Sequence, residues 1–199
     1  MFDAPDKVDK TAIPYLAGGD VGRYRLSWSG MWMRYGPWLA QPREVGMFTR
    51  PRILLREITS SFPYCLYACF TPEQYLNNKS ILNILHPDDD VEALKVLACV
   101  LNCRMISIYY KEFAVKGARK LFPKVVIRNL REFPFPHKLE QKSMTRLVTL
   151  HDGNAKLQMQ LASSRTPYEG AALARQIDMT NRMIDQEGYR LFGLMSLSR

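Results

Sequence analysis

The run from His86 to Lys111, HPDDDVEALKVLACVLNCRMISIYYK, decides how the rest of the chain is read. A proline followed by three aspartates offers side-chain oxygens to the free N–H groups of a helix start, and the acidic charge suits the positive end of the helix dipole. From Val91 onward, Leu94, Leu97, Ala98, Leu101, Met105, Ile108 and Tyr109 recur at helical spacing. The pattern predicts one helix running to about Tyr110, with an apolar face that packs on a sheet.

The strands for that sheet lie upstream. Arg23–Trp28, Met31–Tyr35, Ile53–Thr59 and Tyr64–Phe70 are rich in aromatic and β-branched residues, and Gly36-Pro37, Arg50-Pro51 and Phe62-Pro63 separate them. Asn77–His86 reads as a further strand. Downstream, residues 112–122 read as a basic loop and Lys124–Arg128 as a short strand. Phe133-Pro134-Phe135-Pro136 ends the globular part, since two prolines so close fit neither a helix nor a central strand. Residues 138–163 then read as a helix with Leu139, Met144, Leu147, Leu150, Leu157 and Leu161 as apolar members, and Asp152-Gly153-Asn154 is a candidate interruption. A second helix covers about Tyr168–Phe192, with Leu173, Ile177, Ile184 and Leu191 inward. A short loop at Thr166-Pro167 makes the two an antiparallel pair. The expected fold class is α+β: a mixed, mainly antiparallel sheet with a packed helix, followed by an antiparallel helical segment.

The net charge of +9 over 199 residues is uneven. Residues 104–146 contribute +8 and residues 1–56 contribute +4, whereas residues 57–103 contribute −4. A localised basic excess attracts polyanions, of which nucleic acid is the usual one; the plain alternative is a solvated basic face. No run of apolar residues is long enough to span a membrane, and the polar, acidic start (Asp3, Asp6, Asp9) is no secretory signal, so the expected compartment is the cytoplasm.

The four cysteines form two C-x3-C pairs, Cys65/Cys69 and Cys99/Cys103. A zinc site needs thiolates about 2.3 Å from one ion, but positions i and i+4 of a strand lie about 13 Å apart. Core packing is the simpler reading, because free cysteine behaves as a small hydrophobe. Pro87-Asp88 followed by Glu92 and Lys95 is faintly similar to a nuclease pattern, yet its spacing fails and a helix cap accounts for the aspartates. No nucleophile elbow, phosphate loop or dinucleotide fingerprint occurs. His86, His137 and His151 are scattered without evident partners. Arginines and lysines interleaved with aromatics suit phosphate and base contact. They occur at Arg23-Tyr24-Arg25, Arg34-Tyr35, Arg50-Pro51-Arg52 and in the loop Lys111–Lys124, which carries Lys116, Arg119 and Lys120.

Five short segments also occur in a fixed order: Pro14–Tyr24, Arg52–Arg56, Leu97–Lys111 with Leu101-Asn102-Cys103 inside it, Phe133–Pro136, and Ile184–Leu194. Together the series resembles the TaqI-type C-terminal specificity domain found after the catalytic domain in many N6-adenine DNA methyltransferases and type IIG restriction–modification enzymes. It departs from the family pattern at Gly18-Gly19 (usually a basic residue and glycine), Gly22 (usually lysine), Cys103 (serine), Gly188 (valine) and Phe192 (tyrosine). The catalytic Asn-Pro-Pro-Tyr-like motif and the glycine-rich S-adenosylmethionine motif of such enzymes do not occur in the sequence.

The resemblance implies a target-recognition module: a leader over residues 1–12, a DNA target-recognition domain over 13–137 and a helical spacer or docking segment over 138–199. It implies a partner in double-stranded DNA and another in a methyltransferase domain, N-terminal or separate, with or without an endonuclease. S-adenosylmethionine is expected in that missing catalytic domain, and this chain is expected to hold no catalytic, cofactor-binding or metal-ligating residue of its own. The candidate DNA contacts are Arg23, Arg25, Arg34, Arg52, Lys116, Arg119, Lys120 and Lys124. The competing reading is a protein- or RNA-interaction module with a basic face.

Overall fold

The structure, a computed structural model, describes residues 3–4, 9–114, 124–136 and 139–194. Its architecture is α+β, as expected from the pattern. The centre is a three-stranded antiparallel sheet in the order β7-β6-β9, formed by β6 (Arg52–Arg56), β7 (Ala68–Thr71) and β9 (Ile81–Leu85). Period-two alternation gives this sheet two buried faces. Ile53 and Leu55, with Phe70, Ala68, Leu82 and Ile84 beside them, face the main core; Leu54, Cys69 and Ile81 face a second cluster with Leu16 and Val21. A strand buried on both sides reads as a continuous apolar run, which is why β6 is Ile-Leu-Leu between two arginines.

The second cluster is closed by a smaller sheet in the order β1-β5-β2-β8, from β1 (Asp3–Ala4), β2 (Ala12–Leu16), β5 (Trp32–Arg34) and β8 (Leu76–Asn77), with only the β2–β8 pairing parallel. Asp3 and Ala4, inside the stretch expected to be a loose leader, pair with Met33 and Trp32. The hairpin of β3 (Val21–Gly22) and β4 (Arg25–Leu26) turns through Arg23-Tyr24. Tyr24 is held there at φ 59°, a left-handed conformation that costs a bulky residue about 1–2 kcal/mol. Its ring is buried in the main core and its N–H donates to the Ala68 carbonyl at 3.0 Å, contacts that hold the strained conformation. A one-turn helix, α1 (Gly46–Thr49), precedes β6.

On the other face lies α2 (Val91–Asn102), capped as the sequence predicts: Asp90 accepts from the Ala93 N–H at 2.9 Å. The expected single helix to Tyr110 is instead broken. Cys103 is extended (φ −78°, ψ 155°), α3 (Arg104–Tyr109) starts afresh, and a π-helical turn follows at Tyr110–Ala114. The break is stabilised from far away, because Asp185 accepts from the Arg104 N–H at 2.7 Å and so caps the new start. The expected strand at Lys124–Arg128 is also corrected. Only Lys124 pairs, as one bridge to Ile58, before the chain turns into α4 (Ile127–Arg131).

The helical pair is α5 (Gln141–Ser163) and α6 (Pro167–Leu191). Thr166 caps α6 by accepting from the Glu169 N–H at 3.2 Å, with Pro167 in the first turn. Asp152-Gly153-Asn154 does not interrupt α5. Asp152 is ion-paired with Lys95 at 2.8 Å and Asn154 donates to Asn181 Oδ1 at 2.9 Å, so neither side chain competes with the helix backbone. Leu147 of α5 and Ile184 of α6 belong to the same core as the central sheet and α2. The pair is thus packed into the recognition fold at its base, while Met159, Tyr168 and Met179 leave its far end exposed.

Candidate nucleic-acid interface

The segments that gave the family resemblance prove to be locks. Asn102, fully buried at the end of α2, grips the backbone of one residue of β7 twice: its amide donates to the Ala68 carbonyl at 2.8 Å and its oxygen accepts from the Ala68 N–H at 3.0 Å. Asp185 caps α3 and also accepts from the Tyr64 hydroxyl at 2.8 Å; burial first, and that hydrogen bond next, raise the Tyr64 pKa to about 12. Asp20 closes the turn after β2 by accepting from the Ala17 N–H at 2.8 Å.

Two candidate contacts are locks as well. Arg52 is 0% exposed and donates to Asn83 Oδ1 and to the carbonyls of Arg50, Glu73 and Tyr75 at 2.9–3.2 Å. Burial lowers its pKa to about 10, so it remains charged at neutral pH. The expectation that Arg52 touches DNA is therefore corrected: its face of β6 is the one Leu54 shares, and its donors are engaged inside the fold. Arg23 lies with its guanidinium 3.7 Å from the centre of the Tyr64 ring and donates to the Asn102 carbonyl at 2.8 Å and to Asn181 Oδ1 at 3.3 Å. It ties the hairpin to α2 and α6.

Three of the remaining candidates are accessible. Arg34 pairs with Asp9 at 2.5 Å and Lys124 pairs with Glu57 at 3.3 Å, and both cations are exposed. Such pairs are worth little and can be exchanged for a phosphate. Arg25 is half-buried on β4, and its side chain has no hydrogen bond or ion pair among the described residues. Lys116, Arg119 and Lys120 lie outside the described residues. The structure thus separates Arg23 and Arg52 from the surface candidates rather than gathering all eight into one patch.

Sequence reasoning missed a second set of surface groups. The chain between β5 and α1 forms a loop pinned at its base, where the Tyr35 hydroxyl donates to the Arg43 carbonyl. Trp38 lies across Gly36 so closely that a Cβ there would come within 2.3 Å of the indole, and the ring is still 54% exposed. Trp28 and Trp32 stack edge-on, 5.1 Å apart, nearby in sequence. Arg43, Lys79 and Arg131 are exposed and carry no ion pair among the described residues. They flank a groove of about 1330 Å³ along β9. No sequence signal marked them, because each is a lone cation in a segment without periodicity.

All four cysteines are buried and unbridged, and burial raises the pKa of Cys69 and Cys103 to about 12. Among the described residues, no group of three His, Cys, Asp or Glu side chains is placed to hold a metal ion. No described helix is long and apolar enough to cross a membrane.

The TaqI-like C-terminal specificity domain model matches residues 13–135, more than half of the chain. This chain belongs to that family. Its match ends at the Phe133–Pro136 segment, where the helical pair has yet to begin. The fold is also similar to part of the type IIL restriction–modification enzyme MmeI, solved in complex with DNA: TM-score 0.62 at 10% identity, over 94% of this chain and 28% of that one. At that identity the likeness shows the fold, and it includes the helical pair. The specificity-domain chain spans little more than a quarter of the MmeI chain. No curated relative matches it in sequence.

Proposed function

We propose that this specificity-domain chain reads a duplex DNA sequence for a restriction–modification enzyme and directs an adenine-N6 methyltransferase domain to it. Membership of the specificity-domain family over residues 13–135 carries the reading. The uneven charge supports it, since phosphate contacts from arginine and lysine supply most of the affinity for duplex DNA. Arg25, Arg34, Lys116, Arg119, Lys120 and Lys124 are the proposed phosphate and base contacts.

Methyl transfer is assigned to another domain. Among the described residues the β9 groove is lined by no carboxylate that could hold a ribose, and its flanking cations Arg43, Lys79 and Arg131 would repel a sulfonium. S-adenosylmethionine does not fit there. The helical pair, exposed at its far end, is the proposed support for the catalytic domain.

Selection from a randomised duplex library tests the reading. One enriched motif is the expected outcome, with affinity that falls steeply as salt rises. Equal displacement of the bound duplex by RNA of the same length at fixed salt contradicts it and favours an RNA- or protein-binding basic face.

A further inference from the structure

Among the described residues, the β9 edge of the central sheet is open, and it runs along the groove. In β6 the Arg56 N–H donates to Tyr67 of the β7 side at 3.0 Å, and the Glu57 N–H donates to Ser80 of the β9 side at 2.8 Å. Backbone direction alternates along a strand, so Ile53 and Leu55 bond towards β9, where they oppose Ile84 and Leu82. The amides and carbonyls of Ile81, Asn83 and Leu85 therefore point away from the sheet. Those of Ile81 are covered, its N–H by the Asn78 carbonyl at 3.2 Å and its carbonyl by the Asn77 amide at 3.0 Å. Those of Asn83 and Leu85 have no partner among the described residues.

The groove wraps this edge on both sides. Leu97 and Leu101 of α2, Leu130 of α4 and Phe133 line it on the main-core side; Met47 and Phe48 line it on the other. An extended chain laid against β9 would bond to the free backbone groups and send alternate side chains into the two apolar halves. Duplex DNA offers neither a strand backbone nor apolar side chains of this spacing. The three cations beside the groove, Arg43, Lys79 and Arg131, lack ion pairs among the described residues, and no carboxylate lines it. Their charge selects an acidic partner.

We propose that the β9 edge is a docking site for an extended peptide segment of a partner protein or domain, with alternating apolar residues and acidic flanks, which binds by adding a strand. The proposal does not depend on which residues contact DNA.

Amide hydrogen exchange on the 199-residue chain tests this. The probe is the peptide acetyl-Glu-Glu-Val-Thr-Val-Thr-Val-Glu-Glu-amide, set against the same peptide N-methylated at alternate residues. In the free protein the Asn83 and Leu85 amides should exchange much faster than those of Leu82 and Ile84, which bond to β6. The plain peptide should slow Asn83 and Leu85 by about tenfold or more, and the methylated one should not. Reversing Arg43, Lys79 and Arg131 to glutamate should weaken the plain peptide about tenfold. Because all three are exposed, the variant keeps its fold, and unchanged exchange at Leu82 and Ile84 verifies it. Four results overturn the proposal: Asn83 and Leu85 already as slow as Leu82 and Ile84 in the free protein; no protection at millimolar peptide; equal binding of the methylated peptide; or protection that follows protein concentration or added duplex DNA instead.

Discussion

Arg52 and Arg43 stand nine residues apart and could hardly be used more differently. Arg52, on the central strand, is fully buried and donates to four oxygens of the fold; Arg43, on the loop before α1, stands in solvent with no ion pair among the described residues. The contrast runs through the whole molecule. Segments that identify the family supply Asn102, Asp185, Asp20 and Arg52, and these hold one element to another. The connecting loops supply exposed cations such as Arg43 and Lys79, without ion pairs among the described residues, and the exposed Trp38. A specificity domain needs this division, because a surface that varies with its target has to be carried by a frame that does not.

Removing a lock should therefore cost stability. Arg52→Met leaves three carbonyls and Asn83 Oδ1 without their donor, and we expect a loss of about 3 kcal/mol in urea unfolding. A loss below about 0.5 kcal/mol, the usual range for surface substitutions, would place Arg52 on the surface side of the division. Asn102→Ala leaves the Ala68 N–H without its acceptor and the Ala68 carbonyl with the Tyr24 N–H alone, and should cost about 1–3 kcal/mol.

His151 gives the division a pH dependence. It is 3% exposed, edge-on to Tyr24 at 5.6 Å and Phe70 at 6.1 Å, with Nδ1 on Asp152 at 2.9 Å and Nε2 buried without a partner. Burial lowers its pKa below the ordinary 6.5, against the opposing pull of Asp152. The unfolded chain takes up that proton near pH 6.5 and the folded chain only at lower pH, so the unfolded state binds more protons between the two values. Stability should fall as pH drops from about 6.5 towards the folded pKa, then level off. His151→Phe should flatten that part of the curve, as measured by melting temperature against pH. At the small end, Arg43→Ala should change unfolding free energy by no more than about 0.5 kcal/mol, since its side chain holds nothing together.

Much of the frame was legible in the sequence because its causes are local. The aspartates before Val91 do cap α2 through Asp90, and the leucine periodicity after residue 138 does form α5 and α6. What local pattern could not show was the work of partners distant in sequence. The break at Cys103 depends on Asp185, and the continuity of α5 through Gly153 depends on Lys95 and Asn181. Arg52 was readable after all: it lies two positions from Leu54, on the same buried face of β6. Its charge, beside a proline, drew attention to the surface instead. The cations beside the groove carried no signal, because an isolated exposed arginine or lysine looks the same whether it binds a partner or only water.

The most direct test of the account is the salt dependence of duplex DNA affinity for Lys116→Ala/Arg119→Ala/Lys120→Ala beside the unaltered chain. If the loops hold the DNA and the signature segments hold the fold, the triple variant should bind several-fold more weakly, its log–log salt slope should shrink by about 2–3, and its melting temperature should stay put. An unchanged slope and affinity would contradict the account and move DNA recognition away from the most basic part of the chain.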